Sequence, residues 1–196
     1  MPEVLPNLPF TLAASAPTAE AYPLVSYSSS SAQSSTIPDT NSGWRIEVLE
    51  QTIYDRGLAS EYHIPDIMFH DFRLRDALKK DFRFLADPEG AAWPESVQAP
   101  QKLAIVLCFD GYGKHSRQVN VLRHMQGHTL PPTRSKVAHI VASFIDAFLI
   151  ETRDPAKAGP LSYRGRQLTL DDLVLIDVHH ASQGSLQPTI GIIDRA

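Results

Sequence analysis

Residues 134–151 read Arg-Ser-Lys-Val-Ala-His-Ile-Val-Ala-Ser-Phe-Ile-Asp-Ala-Phe-Leu-Ile-Glu, and this stretch decides the fold. Its large apolar residues recur at intervals of three and four, so they form one broad stripe on an α-helix. The stripe consists of Val137, Ile140, Val141, Phe144, Ile145, Phe148 and Leu149. Thr133 precedes it as a good N-cap, and Pro131 and Pro132 lie just outside. The stretch therefore predicts a helix that packs on a sheet.

The segments on either side of this helix carry the patterns of β-strands. Residues 103–109 are an uninterrupted apolar run, which predicts a central strand covered on both faces. Residues 173–178 and 189–193 predict two further strands near the C-terminus, with a turn at residues 182–185 between them. The end of the chain is therefore expected to be a β-meander.

The N-terminal part of the folded region predicts one strand and a second helix. Apolar and charged residues alternate over residues 44–48, which is the period of a half-buried strand. Asp66 is a plausible N-cap for a helix that ends at residues 87–90. The apolar stripe of that helix consists of Leu74, Leu78, Phe82 and Leu85.

This order of elements predicts an α+β fold: a mixed, mostly antiparallel sheet with two main helices packed on it, preceded by a disordered N-terminal tail. A small doubly wound α/β fold is the alternative. The tail is residues 1–43, which contain nine Ser and six Pro and too few bulky apolar residues to offset the entropy of ordering. Residues 44–196 are expected to form a single globular domain.

Composition limits the compartment and the chemistry. No apolar run approaches the roughly 18 residues of a membrane span, and the first residues lack the basic start of a secretory signal. We therefore expect an intracellular protein, cytoplasmic or nuclear, with no membrane partner. Cys108 is the single cysteine, so no disulfide forms within the chain, and its apolar neighbours predict a buried, unreactive thiol.

One candidate for chemistry begins at Asp110, in the loop Asp-Gly-Tyr-Gly-Lys-His that follows the predicted central strand. Asp110, His115, Asp177 and His179 would form the site of a metal-dependent hydrolase or nuclease if their strands are neighbours, with Asp110, Asp177 and His179 as metal ligands. Asp-Gly after a strand is equally typical of an ordinary turn. The loop lacks the Gly-Lys-Ser/Thr ending of a phosphate-binding loop, so no cofactor is expected.

Two weaker patterns contain further candidate residues. His124 and His128 have the spacing of two metal ligands on one helix face, but Gly127 lies between them and makes a helix there doubtful. The predicted helix 73–83 carries the basic residues Arg73, Lys79, Lys80 and Arg83, which would contact phosphates in a weak nucleic-acid binder. Interleaved acidic residues and a near-neutral domain make nucleic acid an unlikely partner.

No pattern in the sequence names a reaction. The function that we expect is therefore a non-enzymatic protein-interaction or self-association module, with a protein partner or a second copy of the chain as its ligand. The hydrolase and the nucleic-acid binder are the alternatives from other functional classes.

Overall fold

The computed structural model describes residues 44–54, 65–94, 96–97, 101–125, 128–154, 158–182 and 184–194. The tail predicted at residues 1–43 lies outside this part of the chain. The helices are α1 (Leu74–Leu78) and α2 (Arg134–Glu151). The strands are β1 (Arg45–Val48), β2 (Ile67–Arg73), β3 (Lys102–Leu107), β4 (His115–Asn120), β5 (Arg123–Met125), β6 (His128–Leu130), β7 (Ser162–Tyr163), β8 (Arg166–Gln167), β9 (Leu173–Ser182) and β10 (Ser185–Asp194).

Helix α2 has the bounds that its sequence predicts, and local chemistry explains both ends. The Thr133 side chain accepts a hydrogen bond from the Lys136 amide at 3.2 Å, which satisfies one of the unpaired donors of the first turn. At the other end, Thr152 Oγ1 donates to the Phe148 carbonyl at 3.0 Å. The apolar stripe is buried, with Phe148 2% exposed.

Six strands form one sheet in the order β2-β9-β10-β3-β4, and β1 pairs with the C-terminal half of β10. Only the pair β10–β3 is parallel. Strands β5 and β6 form a separate two-stranded ladder, as do β7 and β8. The fold is therefore α+β with a mixed, mostly antiparallel sheet, and one parallel pair excludes the doubly wound alternative.

The helix predicted between Asp66 and residues 87–90 is wrong over most of its length. Residues 67–73 form strand β2 instead, with Ile67 and Phe69 buried and Met68 exposed between them. Helix α1 has only five residues and ends in a Schellman motif. The Lys80 amide bonds the Ala77 carbonyl and the Asp81 amide bonds the Asp76 carbonyl, while Lys80 takes a φ of 59°.

The core lies between the helices and one face of the sheet. Strand β3 is internal and its inward residues are almost fully buried, which confirms the central strand predicted at residues 103–109. On the opposite face, Gly191 of β10 lies under Ile46 of β1 and Val174 of β9. A Cβ atom at Gly191 would be 2.7 Å from Ile46 Cγ2, so the close approach of these strands depends on the missing side chain.

Among the helices described here, none has the length and apolar character needed to cross a membrane.

Candidate functional site

The four residues of the predicted metal site lie in different places. Asp110 follows β3, whereas Asp177 and His179 belong to β9, and β10 runs between those two strands. Two strand spacings of about 4.8 Å each separate β9 from β3, whereas metal ligands lie about 2 Å from their ion. The structure therefore does not bring Asp110 together with Asp177 and His179.

His115 is also separate from the β9 pair. Its ring packs edge-on against Phe148 of α2, with the ring centroids 4.8 Å apart. Its Nε2 atom lies 3.1 Å from the Tyr112 carbonyl oxygen. These contacts give His115 a place in the packing between β4 and α2. Within the described ranges, no group of three or more His, Cys, Asp or Glu side chains is arranged to hold a metal ion.

Asp177 and His179 do share one face of β9, as the alternation predicts, and the structure adds a partner that the sequence did not suggest. Asp66, predicted as a helix N-cap, instead precedes β2, and its Oδ1 lies 2.6 Å from His179 Nδ1. Both side chains of this pair are nearly half exposed. Desolvation is the main cause that raises the pKa of Asp177, and the Asp66 charge adds to it, while a hydrogen bond from Thr189 opposes them.

The basic residues of the predicted helix 73–83 do not share a helix face. Arg73 ends β2 and its guanidinium lies over the Trp44 ring, 5.5 Å from the centroid. Lys79 and Lys80 lie at the end of α1, and Arg83 follows in a turn, where it pairs with Asp81 at 2.7 Å. The chain therefore forms no basic helix for a nucleic-acid backbone at this place.

His124 and His128 belong to the antiparallel strands β5 and β6, where His124 is opposite Thr129 and His128 is opposite Met125. The two histidines therefore do not lie one turn apart on a helix, as the predicted ligand pair requires.

Cys108 is half-buried rather than buried, and desolvation raises the pKa of its thiol, which keeps it in the less reactive protonated form.

Asp110 lines an open groove of about 300 Å³ beside β1. We call it the β1 groove. Three distant segments of the chain form it: the end of β1, the loop after β3, and the start of the β7–β8 hairpin. The lining residues are Glu47, Val48, Leu49, Glu50, Phe109, Asp110, Tyr112, Leu161, Ser162 and Tyr163.

The backbone of β1 turns its unpaired edge toward this groove. In an antiparallel pair, alternate residues direct both backbone groups to the partner strand. The Leu49 amide donates to the Ile190 carbonyl at 2.8 Å, and Glu47 pairs with Ile192 in the same register. Val48 and Glu50 therefore direct their N–H and C=O groups away from β10. In the part of the chain described here, β1 itself pairs with no other strand, but just beyond it Gln51 forms an antiparallel bridge with Phe109. The free edge therefore ends at Val48.

Aromatic packing holds the far wall of the groove in place. Phe109 and Tyr112 both rest on Phe148 of α2, with ring centroids 5.5 and 5.7 Å from it. The Tyr112 hydroxyl donates to the Pro160 carbonyl at 2.8 Å, which ties the loop after β3 to the start of the hairpin. The wall is therefore supported by the core and does not depend on a ligand for its shape.

A glutamine fixes the segment that leaves β1. Gln51 Nε2 donates to the Pro188 carbonyl at 2.8 Å, and Gln51 Oε1 accepts from the Cys108 amide at 3.3 Å. These bonds connect the segment after β1 to both β10 and the end of β3. The groove therefore begins where β1 and β3 separate along the same side of β10.

The lining is acidic. It contains Glu47, Glu50 and Asp110 and no Lys, Arg or His. Glu47 is compensated, because Arg164 of the hairpin donates to both of its carboxylate oxygens at 3.0 and 3.2 Å. Glu50 and Asp110 are exposed, and no ion pair to either is found among the described side chains.

Asp110 is thus the only sequence-predicted candidate that lies in the groove. Val48, Tyr112 and Tyr163 had no signal that marked them for a site, because each matters only through its position beside the other two segments. Comparisons of this chain with protein-family models, with curated proteins and with solved structures find no match.

Proposed function

We propose that this chain is a non-enzymatic protein-interaction module that binds an extended protein segment by adding it as a strand to the free edge of β1. The observation that carries this proposal is the direction of the Val48 backbone groups, which point away from β10 beside the β1 groove and have no strand partner in the described structure. Strand addition is a common mode of peptide recognition, in which main-chain hydrogen bonds supply affinity and neighbouring pockets supply selectivity.

The side chains around the edge fit this role. Val48 is 58% exposed, and its side chain lies beside the edge groups with which an added strand would pair. The aromatic wall of Tyr112 and Tyr163 offers large rigid surfaces at low entropic cost. The groove itself is preformed, which lowers the cost of binding.

The test is a substitution that removes only the edge donor. Val48→Pro deletes an N–H that points away from β10, so the β1–β10 ladder keeps its hydrogen bonds, and proline is tolerated on such an edge. Val48→Thr is the matched control, since it keeps both the amide and the branched shape. Random 12-residue peptides displayed on phage would be selected on the full chain, and binding of the enriched peptides measured for the three proteins.

We expect Val48→Thr to retain binding and Val48→Pro to lose it, with similar melting temperatures for both. Equal binding by Val48→Pro would contradict strand addition at β1. Sedimentation of the unliganded chain distinguishes the two kinds of partner. A dimer at micromolar concentration that Val48→Pro converts to a monomer would make the partner strand a second copy of this chain.

A further inference from the structure

We propose that the segment bound in the β1 groove carries a basic side chain, Arg or Lys, whose charged end lies between the carboxylates of Glu50 and Asp110. This inference rests on the proposed strand addition and goes beyond it, because strand addition through backbone groups alone selects no particular sequence. The charge of the groove, its shape and the existing contacts of the neighbouring cations all favour a basic side chain.

The charge of the lining is the first argument. Three acidic residues line the groove, and none of the ten lining residues is basic. Binding an extended segment would take Glu50 and Asp110 partly out of water, and a carboxylate that loses water without gaining a partner is costly. A basic side chain on the ligand offsets that cost, whereas an acidic or phosphorylated ligand would add repulsion.

The shape of the groove is the second argument. Its lining is partly apolar, with Val48, Leu49 and the Tyr112 and Tyr163 rings beside the buried Phe109 and Leu161. The exposed carboxylates of Glu50 and Asp110 lie at the rim. Arg and Lys have this same division, an apolar stem that ends in a charge. The volume of about 300 Å³ equals that of about ten water molecules, which is sufficient for one long side chain.

The cations around the groove are the third argument. Arg164 is committed to Glu47 and to Asp194 at 3.0 Å, and it lies over the Tyr163 ring at 4.9 Å from the centroid. Lys114 lies over the Tyr54 ring, 5.4 Å from its centroid. Neither is paired with Glu50 or Asp110 in the described structure. Among the described residues, no cation is therefore paired with either rim carboxylate, so both are available to a basic side chain of the ligand.

The experiment uses the peptides selected for the proposed function, together with versions in which each Arg is replaced by citrulline, an uncharged side chain of nearly the same shape. The protein variants are Glu50→Gln with Asp110→Asn, and a control pair, Glu89→Gln with Asp146→Asn, which changes the net charge equally but lies outside the groove lining. Affinity is measured by fluorescence anisotropy at two salt concentrations.

We expect a basic residue to be enriched at one position, and the Arg peptide to bind at least about tenfold more tightly than the citrulline peptide. That preference should fall to near unity in the Glu50/Asp110 variant, persist in the control variant, and weaken as salt is raised, because the two carboxylates are at an exposed rim. Enriched peptides that lack a basic residue, or equal binding of Arg and citrulline peptides, would overturn the inference while Val48→Pro-sensitive binding still upheld strand addition. Failure to enrich any peptide would count against both.

Discussion

His180 of β9 meets Trp93 edge to face, with the ring centroids 5.2 Å apart and the ring planes inclined at 82°. Both side chains are buried, and throughout the described structure neither ring nitrogen of His180 nor Nε1 of Trp93 has a hydrogen-bond partner. A buried imidazole without a hydrogen-bond partner favours the neutral form, because burial removes the water that would stabilise its charge. Burial, together with the charge of the adjacent His179, lowers the pKa of His180 to about 4.

This relationship predicts a pH dependence of stability. The unfolded chain binds a proton at His180 below its ordinary pKa of 6.5, whereas the folded chain does not until about pH 4. Stability from this group is therefore complete above pH 6.5 and is lost as the pH falls from 6.5 to 4. Urea unfolding at a series of pH values should show a loss of about 2–3 kcal/mol over that window from this residue. Alternation along β9 places His180 on the face opposite His179, but nothing in the sequence indicates that its ring nitrogens lack partners.

The control separates His180 from the carboxylates that titrate at lower pH. His180→Phe keeps an aromatic ring against Trp93 and removes the titration, so its stability should vary less between pH 6.5 and 4 than that of the natural chain. His179→Gln, which changes an exposed neighbour, should keep most of the natural slope. If His180→Phe and the natural chain have parallel curves, His180 does not contribute to this dependence.

Adding a side chain at Gly191 should destabilise the fold by overpacking. A Cβ atom there would be 2.7 Å from Ile46 Cγ2 and 2.8 Å from Val174 Cγ2, closer than side-chain carbons approach in practice. Gly191→Ala should therefore lower the free energy of unfolding by about 1–3 kcal/mol, because β1 or β9 must shift. Gly184→Ala is the control, since a Cβ atom there meets nothing within 4 Å. Equal stability of the two variants in urea would show that β1 does not pack as described.

Truncating Phe148 should leave a large cavity in the core and remove the support of two residues that line the β1 groove. The side chain is 2% exposed and supports Phe109, Tyr112 and His115. Phe148→Ala should lower the free energy of unfolding by about 3–5 kcal/mol. Ile150→Ala, at a 58% exposed position of the same helix, should change it by less than about 0.5 kcal/mol. Chemical denaturation of both variants checks this, and comparable losses would mean that α2 presents a different face to the core.

The buried capping interaction of Asp172 should contribute measurably to the free energy of unfolding. Its Oδ2 accepts from the Thr169 amide at 2.9 Å and from Thr169 Oγ1 at 2.7 Å, while Oδ1 accepts from Arg166 at 2.9 Å. Burial alone would raise the pKa of Asp172, but these bonds from Thr169 and Arg166 outweigh it and lower the pKa. Asp172→Ala should cost about 1–3 kcal/mol at pH 7.

The lowered pKa also sets the pH at which this contribution disappears. Stability from Asp172 is present above its unfolded pKa of 3.8 and is lost as the pH falls through the lower folded value. The difference between Asp172→Ala and the natural chain should therefore shrink in acid. Asp171→Ala changes a neighbouring carboxylate that is 44% exposed and should cost less at every pH.

The sequence by itself determined the elements whose signal is local. The stripe of α2 needs only the helical period and an N-cap, so its bounds follow from residues 133–152 alone. The apolar run at residues 103–109 likewise indicates a covered strand, because a short run without polar alternation is typical of a strand buried on both faces. Each of these conclusions depends on residues within about twenty positions of one another.

Tertiary structure decided what depends on distant pairing. The spacing from Leu74 to Leu85 is compatible with a helix, yet Ile67 pairs with Val178 and Phe72 with Leu175, more than a hundred residues away, and this pairing makes the segment before Leu74 a strand. The position of β10 between β9 and β3 likewise separates Asp110 from Asp177. The β1 groove joins residues 47–50, 109–112 and 161–163, whose sequences carry no mutual signal. Both the strand order and the groove depend on backbone hydrogen bonds between distant segments. Many extended segments can form such bonds, so the bonds do not specify which strands pair. The pairing is selected by the packing of side chains across the whole fold.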